Sequence, residues 1–274
     1  MVTRRDFLGL CICGFPFFWR RRCVRMAGIS FRVIRRGSGT RRYLHIHGNE
    51  TSARELLLSH LQTFKGTGFV IESEQRYVVV SGGWIDPNRM FSAAGAGKSL
   101  RALNPHWSDE DVRAALRKLD RDREKFLYRI APPRGGLLIA LHNNRETYSV
   151  QDEVPISDRV SLKAPASPRE FLLATDPRDF EILSASPFNV VLQNTPAGED
   201  DGSLSRWAAR EGVRYVNIEA ALGNRQGQAE MLEWLERNLP PVYEPVTVSS
   251  LRTNRSGSRF RPDPVFRKVP GTHA

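Results

Sequence analysis

The stretch Tyr43-Leu44-His45-Ile46-His47-Gly48-Asn49-Glu50-Thr51, followed directly by Ser52-Ala53-Arg54-Glu55-Leu56-Leu57-Leu58, decides how the rest of the chain is read. A run ending in alternating residues, a Gly-Asn pair and then a helical pattern describe a strand whose C-terminal end opens through a tight turn into a helix. Open α/β sheets bind their ligands at that end of their strands. On such a turn His47 and Glu50 put an imidazole and a carboxylate three residues apart. That is close enough to hold one metal ion while leaving positions for distant residues and water. The spacing alone is a common coincidence in a chain with six histidines, so its weight depends on the polar residues that occur downstream and on their order.

Outward from this turn, short apolar runs predict strands at 31–35, 43–47, 68–72, 77–80, 136–141, 170–174, 189–193 and 214–218. Several are continuous rather than alternating, as strands buried on both faces require. Helical patterns lie between them. Residues 52–64 place Ala53, Leu56, Leu57, Leu61 and Phe64 on one face. Ser108 caps a second helix with Asp109, Glu110 and Asp111 in its first turn and Val112, Leu116, Leu119 and Phe126 as its stripe. A third, 226–239, carries Met231, Leu232, Trp234 and Leu235. Strands interleaved with helices predict a three-layer α/β domain around a mixed, mostly parallel central sheet. Gly82-Gly83 predicts a hairpin turn.

Three further stretches carry chemistry. Asp86-Pro87-Asn88-Arg89-Met90-Phe91 closes on an arginine, the side chain best shaped to grip a carboxylate with two parallel hydrogen bonds, and Asn88 is placed to add a third. The same residues also read as an Asp-Pro turn with an exposed arginine. The run 136–141 delivers His142-Asn143-Asn144 at its end, where a third metal ligand would emerge. The run 214–218 likewise delivers Glu219, a carboxylate whose desolvation is costly unless it is partnered or working. By contrast Ala94-Gly95-Ala96-Gly97-Lys98-Ser99 imitates the end of a phosphate-binding loop, but Ser92 stands where the first glycine belongs and no sufficient helix is expected before Asn104-Pro105.

Composition narrows the function further. The chain of 274 residues has a formal net charge of +11. Residues 1–36 contribute a net +8 and residues 250–274 a net +5, which leaves −2 for the interior. A basic groove for nucleic acid on the folded body is therefore not expected. All three cysteines, Cys11, Cys13 and Cys23, precede residue 25, so a metal site in the body must use histidine and carboxylate. Residues 1–28 read as an arm: Thr3-Arg4-Arg5-Asp6-Phe7-Leu8 and the apolar run to Trp19 resemble a twin-arginine export signal, too short to span a bilayer. Arg20-Arg21-Arg22 falls where a cleavage region should be, and translation from Met26 is the alternative. The expected settings are periplasmic or secreted in the first case and cytoplasmic in the second. Residues 29–245 form the expected domain, and 246–274 a disordered basic tail.

The order H-x-x-E, N-R, a strand-end histidine and a strand-end glutamate resembles the zinc carboxypeptidase superfamily. Through His47-Gly48-Asn49-Glu50-Thr51 and Asp86-Pro87-Asn88-Arg89-Met90-Phe91 it is most similar to the aspartoacylase and succinylglutamate desuccinylase branch, over roughly residues 29 to 243. The resemblance implies a phosphorylase/hydrolase-like fold and one zinc ion held by His47, Glu50 and His142. It also implies a substrate carboxylate held by Asn88 and Arg89, and Glu219 as general base. It implies hydrolysis of an amide bond next to a free carboxylate, in a small peptide or an N-acyl amino acid; a non-catalytic binding protein with the same fold is the remaining reading. Departures are visible. No tyrosine occurs between Asn194 and Ser205, the oxyanion arginine has only Arg76 and Arg134 as candidates, and the chain after Pro245 is short for the small β domain of that branch.

Overall fold

Continuous apolar runs separated by helical patterns fold into a mixed nine-stranded sheet with helices on both faces. The computed structural model describes residues 22–195 and 198–243. The strands are β1 (Cys23–Met26), β2 (Ile29–Arg36), β3 (Arg42–His45), β4 (Gly66–Ile71), β5 (Val78–Val80), β6 (Gly83–Ile85), β7 (Leu138–Asn144), β8 (Arg159–Ser161), β9 (Phe171–Ala174), β10 (Asn189–Leu192) and β11 (Tyr215–Ala221). The helices are α1 (Thr51–Thr63), α2 (Ala93–Leu103), α3 (Asp109–Ile130), α4 (Val150–Glu153), α5 (Pro177–Leu183), α6 (Leu204–Arg210) and α7 (Arg225–Asn238). The sheet runs β1-β2-β4-β3-β7-β11-β9-β10-β8, while β5 and β6 form a separate hairpin. Parallel pairing is concentrated at the centre, where β4, β3, β7 and β11 run side by side. Antiparallel pairs β2–β4 and β11–β9 flank that block.

The period of two sends alternate side chains to opposite layers. Leu138 and Ala140 of β7 pack with Leu100 of α2, Leu119 and Phe126 of α3 and Trp207 of α6. Ile139 and Leu141 pack with Leu57 of α1, Phe180 of α5 and Leu235 of α7. Local signals agree with these assignments. Ser108 and Asp111 form a reciprocal capping box on α3, whose first turn carries three acidic residues against the helix dipole.

Several boundaries differ from the sequence reading, each for a physical reason. The body starts before residue 29: β1 pairs antiparallel with β2, Met26 and Ala27 are buried, and the Ala27 amide donates to Asp122 at 2.8 Å. Its arginine-rich surroundings hide an edge strand. The polar ends His142-Asn143-Asn144 and Glu219-Ala220-Ala221, read as lying just past their strands, are strand residues paired in register. The Gly95-Ala96-Gly97-Lys98-Ser99 stretch lies inside α2, and a Cβ on Gly95 would sit 2.2 Å from the backbone nitrogen of Gly202. The glycine permits a close backbone approach there. The export-signal-like residues 1–21 and the basic tail 246–274 lie outside the described residues. Among the described residues no helix is long and apolar enough to cross a membrane.

Near the end of the described chain, Arg214 donates to Asp179 through Nε at 2.7 Å and Nη2 at 2.8 Å, and the Tyr243 hydroxyl reaches the same carboxylate at 2.8 Å. Both charged side chains are buried. Removing one partner strands the other charge in the interior, so Asp179→Ala is expected to destabilise the fold by about 3–5 kcal/mol in urea denaturation. A loss under about 1 kcal/mol, the size of a surface pair, would show that the cluster is solvated.

Candidate metal centre

The turn after β3 is held from several sides. Gly48 donates its amide to the Gln75 carbonyl at 3.0 Å, and a Cβ there would lie 2.2 Å from the Ser73 carbonyl oxygen, so only glycine fits. Arg54 in the first turns of α1 donates to the same Ser73 carbonyl. Burial lowers the His45 imidazole to about 4, which keeps it neutral, and its Nε2–H donates to the Glu50 carbonyl at 3.0 Å. The turn is therefore fixed before any ligand arrives.

On this frame His47, Glu50 and His142 converge, each with a ligand atom within 4.8 Å of the others. His47 Nδ1 lies 2.8 Å from Glu50 Oε1 and His142 Nδ1 lies 3.3 Å from Glu50 Oε2. All three side chains are at most 4% exposed. Despite these distances His47 Nδ1 and Glu50 Oε2 lack hydrogen-bond partners of acceptable geometry, as does His142 Nε2. Unsatisfied His47 Nδ1 and Glu50 Oε2 atoms, buried beside the His142 ring, fit a cation, and two imidazoles with one carboxylate form a donor set suited to zinc. Asp86, to which the sequence alone assigns no site role, accepts from His47 Nε2–H at 2.8 Å and orients the ring.

Electrostatics follow from this packing. Burial opposes a charged His47, but the carboxylates of Glu50 and Asp86 outweigh it and push the imidazole up to about 9. Burial likewise opposes the Glu50 carboxylate, yet the facing imidazoles of His142 and His47 hold its carboxyl well below the usual range.

The remaining expected residues divide. Glu219 is the register partner of His142 on the neighbouring parallel strand. Burial raises its carboxyl, whose oxygens accept from Asn217 at 3.1 Å and Asn144 at 3.2 Å. These two asparagines are readable in principle, since each lies two residues along its strand from Glu219 or His142 and so shares a face. Asn88 and Arg89 also line the cavity, of about 340 Å³, that holds the cluster. Asn88 spends its Oδ1 on the Leu204 amide at 3.1 Å, leaving its NH₂ group unpaired among the described residues. Arg89 faces Asp201 at 3.3 Å and is partly exposed. Arg76 donates to Glu50 at 3.1 Å and lines the cavity, whereas Arg134 is exposed and lies outside it.

Other cavity residues escape a reading of the sequence. Arg206 is 8% exposed, and its guanidinium has no ion pair among the described residues. Tyr148 enters from the loop after β7 and donates to Glu153, which also accepts from Gln193. The family resemblance directs attention to a tyrosine between Asn194 and Ser205, far from Tyr148 in the chain. Nothing in sequence spacing links Tyr148 or Arg206 to the turn at His47, because a loop after β7 places the first and the docking of α6 the second.

Fold and site together define an α/β domain with a buried His-Glu-His cluster that could hold a metal ion at the C-terminal ends of parallel strands. No family model and no curated protein matches the chain. Among solved structures it is similar to the apo form of the ectoine utilization protein EutE (DoeB) from Ruegeria pomeroyi, at 15% identity, covering 76% of this chain and 60% of that one, TM-score 0.40. It is similar to succinylglutamatedesuccinylase/aspartoacylase from Rhodobacter sphaeroides, at 14% identity over 77% of this chain and 59% of that one, TM-score 0.39. A zinc-free form of YNDL aligns at 16% identity over 75% of this chain and 89% of that one, TM-score 0.34. The chain thus spans about 60% of the length of the first two.

A folded-state value of about 9 for His47, against 6.5 for a free imidazole, stabilises the metal-free protein fully below about 6.5, and this contribution is lost as pH rises through 9. A cation must displace that proton. Zinc affinity is therefore expected to climb roughly tenfold per pH unit from 7 toward 9, with about one proton released per ion at pH 7. Calorimetry in buffers of different ionisation enthalpy measures both; affinity that stays flat from pH 7 to 9 would remove His47 from the site.

Proposed function

We propose that this chain is a zinc-dependent hydrolase that cleaves an amide bond next to a free carboxylate, as a carboxypeptidase-like peptidase does. The convergence of His47, Glu50 and His142 beside Glu219 carries this reading. A zinc ion held by the three ligands supplies Lewis-acid polarisation and lowers the pKa of water toward about 7.

The chain's own residues account for the rest. Glu219, raised by burial and steadied by two amide donors, takes a proton from the attacking water and returns it to the leaving nitrogen. Oxygen adds to the acyl carbon, the C–N bond breaks, and a carboxylate and an amine leave. The Arg76 guanidinium beside Glu50 offers a donor where the carbonyl oxygen gains charge. Carboxylate anchoring falls to Arg206, whose fork is unspent among the described residues, with the free amide of Asn88 and the rim arginine Arg89. Fixing that carboxylate orients the scissile carbonyl toward the ligands.

A cavity of about 340 Å³ suits one amino acid with a short acyl group, which favours an N-acyl amino acid as the second reading. An exported setting is supported by the Arg4-Arg5 pattern. Translation from Met26, the alternative, would omit most of β1.

Glu219→Gln is expected to keep zinc at one ion per chain while lowering kcat by roughly 10²–10⁴ on whichever of a C-terminal peptide panel and an N-acyl amino acid panel the enzyme turns over. Metal analysis and kinetics together decide: unchanged kcat in this variant removes Glu219 from the reaction, and His142→Ala with full zinc content removes His142 from the centre.

A further inference from the structure

We propose that the outer face of the β5–β6 hairpin is a second subsite, which takes an apolar or aromatic group on the carbonyl side of the scissile bond; this rests on the hydrolase reading above. In an ordinary two-stranded ribbon over a core, one face is apolar and the other polar. Here both faces are apolar. Val78, Val80 and Ile85 point into the core, while the cross-strand pair Val79 and Trp84 faces out, 51% and 47% exposed, beside Tyr77 at 38%. Three of the eight exposed large hydrophobics among the described residues thus share one short hairpin, which is a patch rather than scatter.

The patch is rigid. Asn104, 3% exposed, accepts the Trp84 amide at 2.8 Å and donates to the Trp84 carbonyl at 2.8 Å and the Leu100 carbonyl at 2.7 Å. On the preceding residue a Cβ at Gly83 would lie 2.1 Å from the Trp107 ring, so the strand is seated against that indole. An exposed indole on a clamped strand is a stacking platform with little entropy left to lose on binding.

Its position says what it binds. Tyr77, Trp84 and Leu103, with Gln75 and Arg76, line a cleft of about 380 Å³. Arg76 also lines the catalytic cavity and donates to Glu50. Arg76 is thus a residue that the cleft and the cavity share. The carboxylate anchors Arg206 and Arg89 and the base Glu219 occupy that cavity, so they receive the leaving-amine half. The group on the acyl carbon leaves past Arg76, along the Trp84 face. A cleft of this volume holds one ring or one side chain, far less than a protein interface needs.

The test uses the full chain, zinc-loaded and carrying Glu219→Gln, titrated calorimetrically with matched N-acetyl and N-phenylacetyl forms of a panel of amino acids. The phenylacetyl member of the tightest-binding pair is expected to bind about tenfold more strongly. Trp84→Ser combined with Tyr77→Ser should collapse that preference to within about twofold. Both side chains are exposed, and thermal melting checks that the variant remains folded. Equal binding of the pair by the parent protein, or a preference that survives both substitutions, overturns the subsite while the hydrolase reading stands. Binding of no member, with no turnover of the same compounds by the unsubstituted chain, overturns the hydrolase reading and the subsite together.

Discussion

One carboxylate, that of Glu50, lies buried between two imidazoles, and much of the surrounding structure is arranged so that it can stay there. Oε1 lies 2.8 Å from His47 Nδ1 and Oε2 lies 3.3 Å from His142 Nδ1, yet Oε2 and His47 Nδ1 both lack hydrogen bonds of acceptable geometry. Unsatisfied atoms of this kind cost free energy unless a proton or cation is shared between them. The imidazoles of His142 and His47 around that carboxylate push the Glu50 carboxyl down against burial, and Glu50 with Asp86 pushes the His47 imidazole up. The arrangement is stable with a positive charge at its centre and costly without one.

Sheet topology supplies the convergence. The block β4-β3-β7-β11 is parallel, so the C-terminal ends of β3, β7 and β11 open on one rim. His142 and Glu219 meet because they are register partners, although 76 residues of chain separate them. Pleating does the rest: Asn144 and Asn217 fall on the same faces as these two residues and point their amides at the Glu219 carboxylate. Slipping β11 by one residue would turn Glu219 into the opposite layer, among Leu57 and Leu235.

The legible part of the sequence is the part governed by local rules. The Gly48 turn, the α1 stripe and the apolar runs of β7 and β11 depend on neighbours two to four residues away, and the ligand set is found at the ends of those runs. Strand ends are misjudged because His142-Asn143-Asn144 and Glu219 are polar yet buried, satisfied by side chains that arrive from elsewhere. α2 is hidden because its small residues serve close packing against Gly202 rather than an apolar stripe. The edge strands β1 and β8 are short and half-exposed, so their composition resembles loop. Tyr148 reaches the cavity on a loop and Arg206 on the short helix α6, by tertiary placement that no spacing records.

The Asp86-Pro87-Asn88-Arg89 segment joins these levels. Asp86 accepts from His47 and from the Asn88 amide, closing a short 3-10 turn. Asn88 in turn accepts from the Leu204 amide at the start of α6. α6 carries Arg206. A chain of four hydrogen-bonded or covalent links therefore runs from His47, a candidate metal ligand, to the Arg206 guanidinium on the cavity wall. Because both ends are fixed by the same tetrapeptide, the spacing between the His47 ring and α6, which carries Arg206, is set by framework rather than by mobile side chains. That is the geometric condition for presenting one bond, and not its neighbours, to attack. Arg89, the residue in this segment most suggestive of carboxylate binding by type, sits at the rim opposite Asp201, and the framework role of its neighbours Asp86 and Asn88 is what the site requires first.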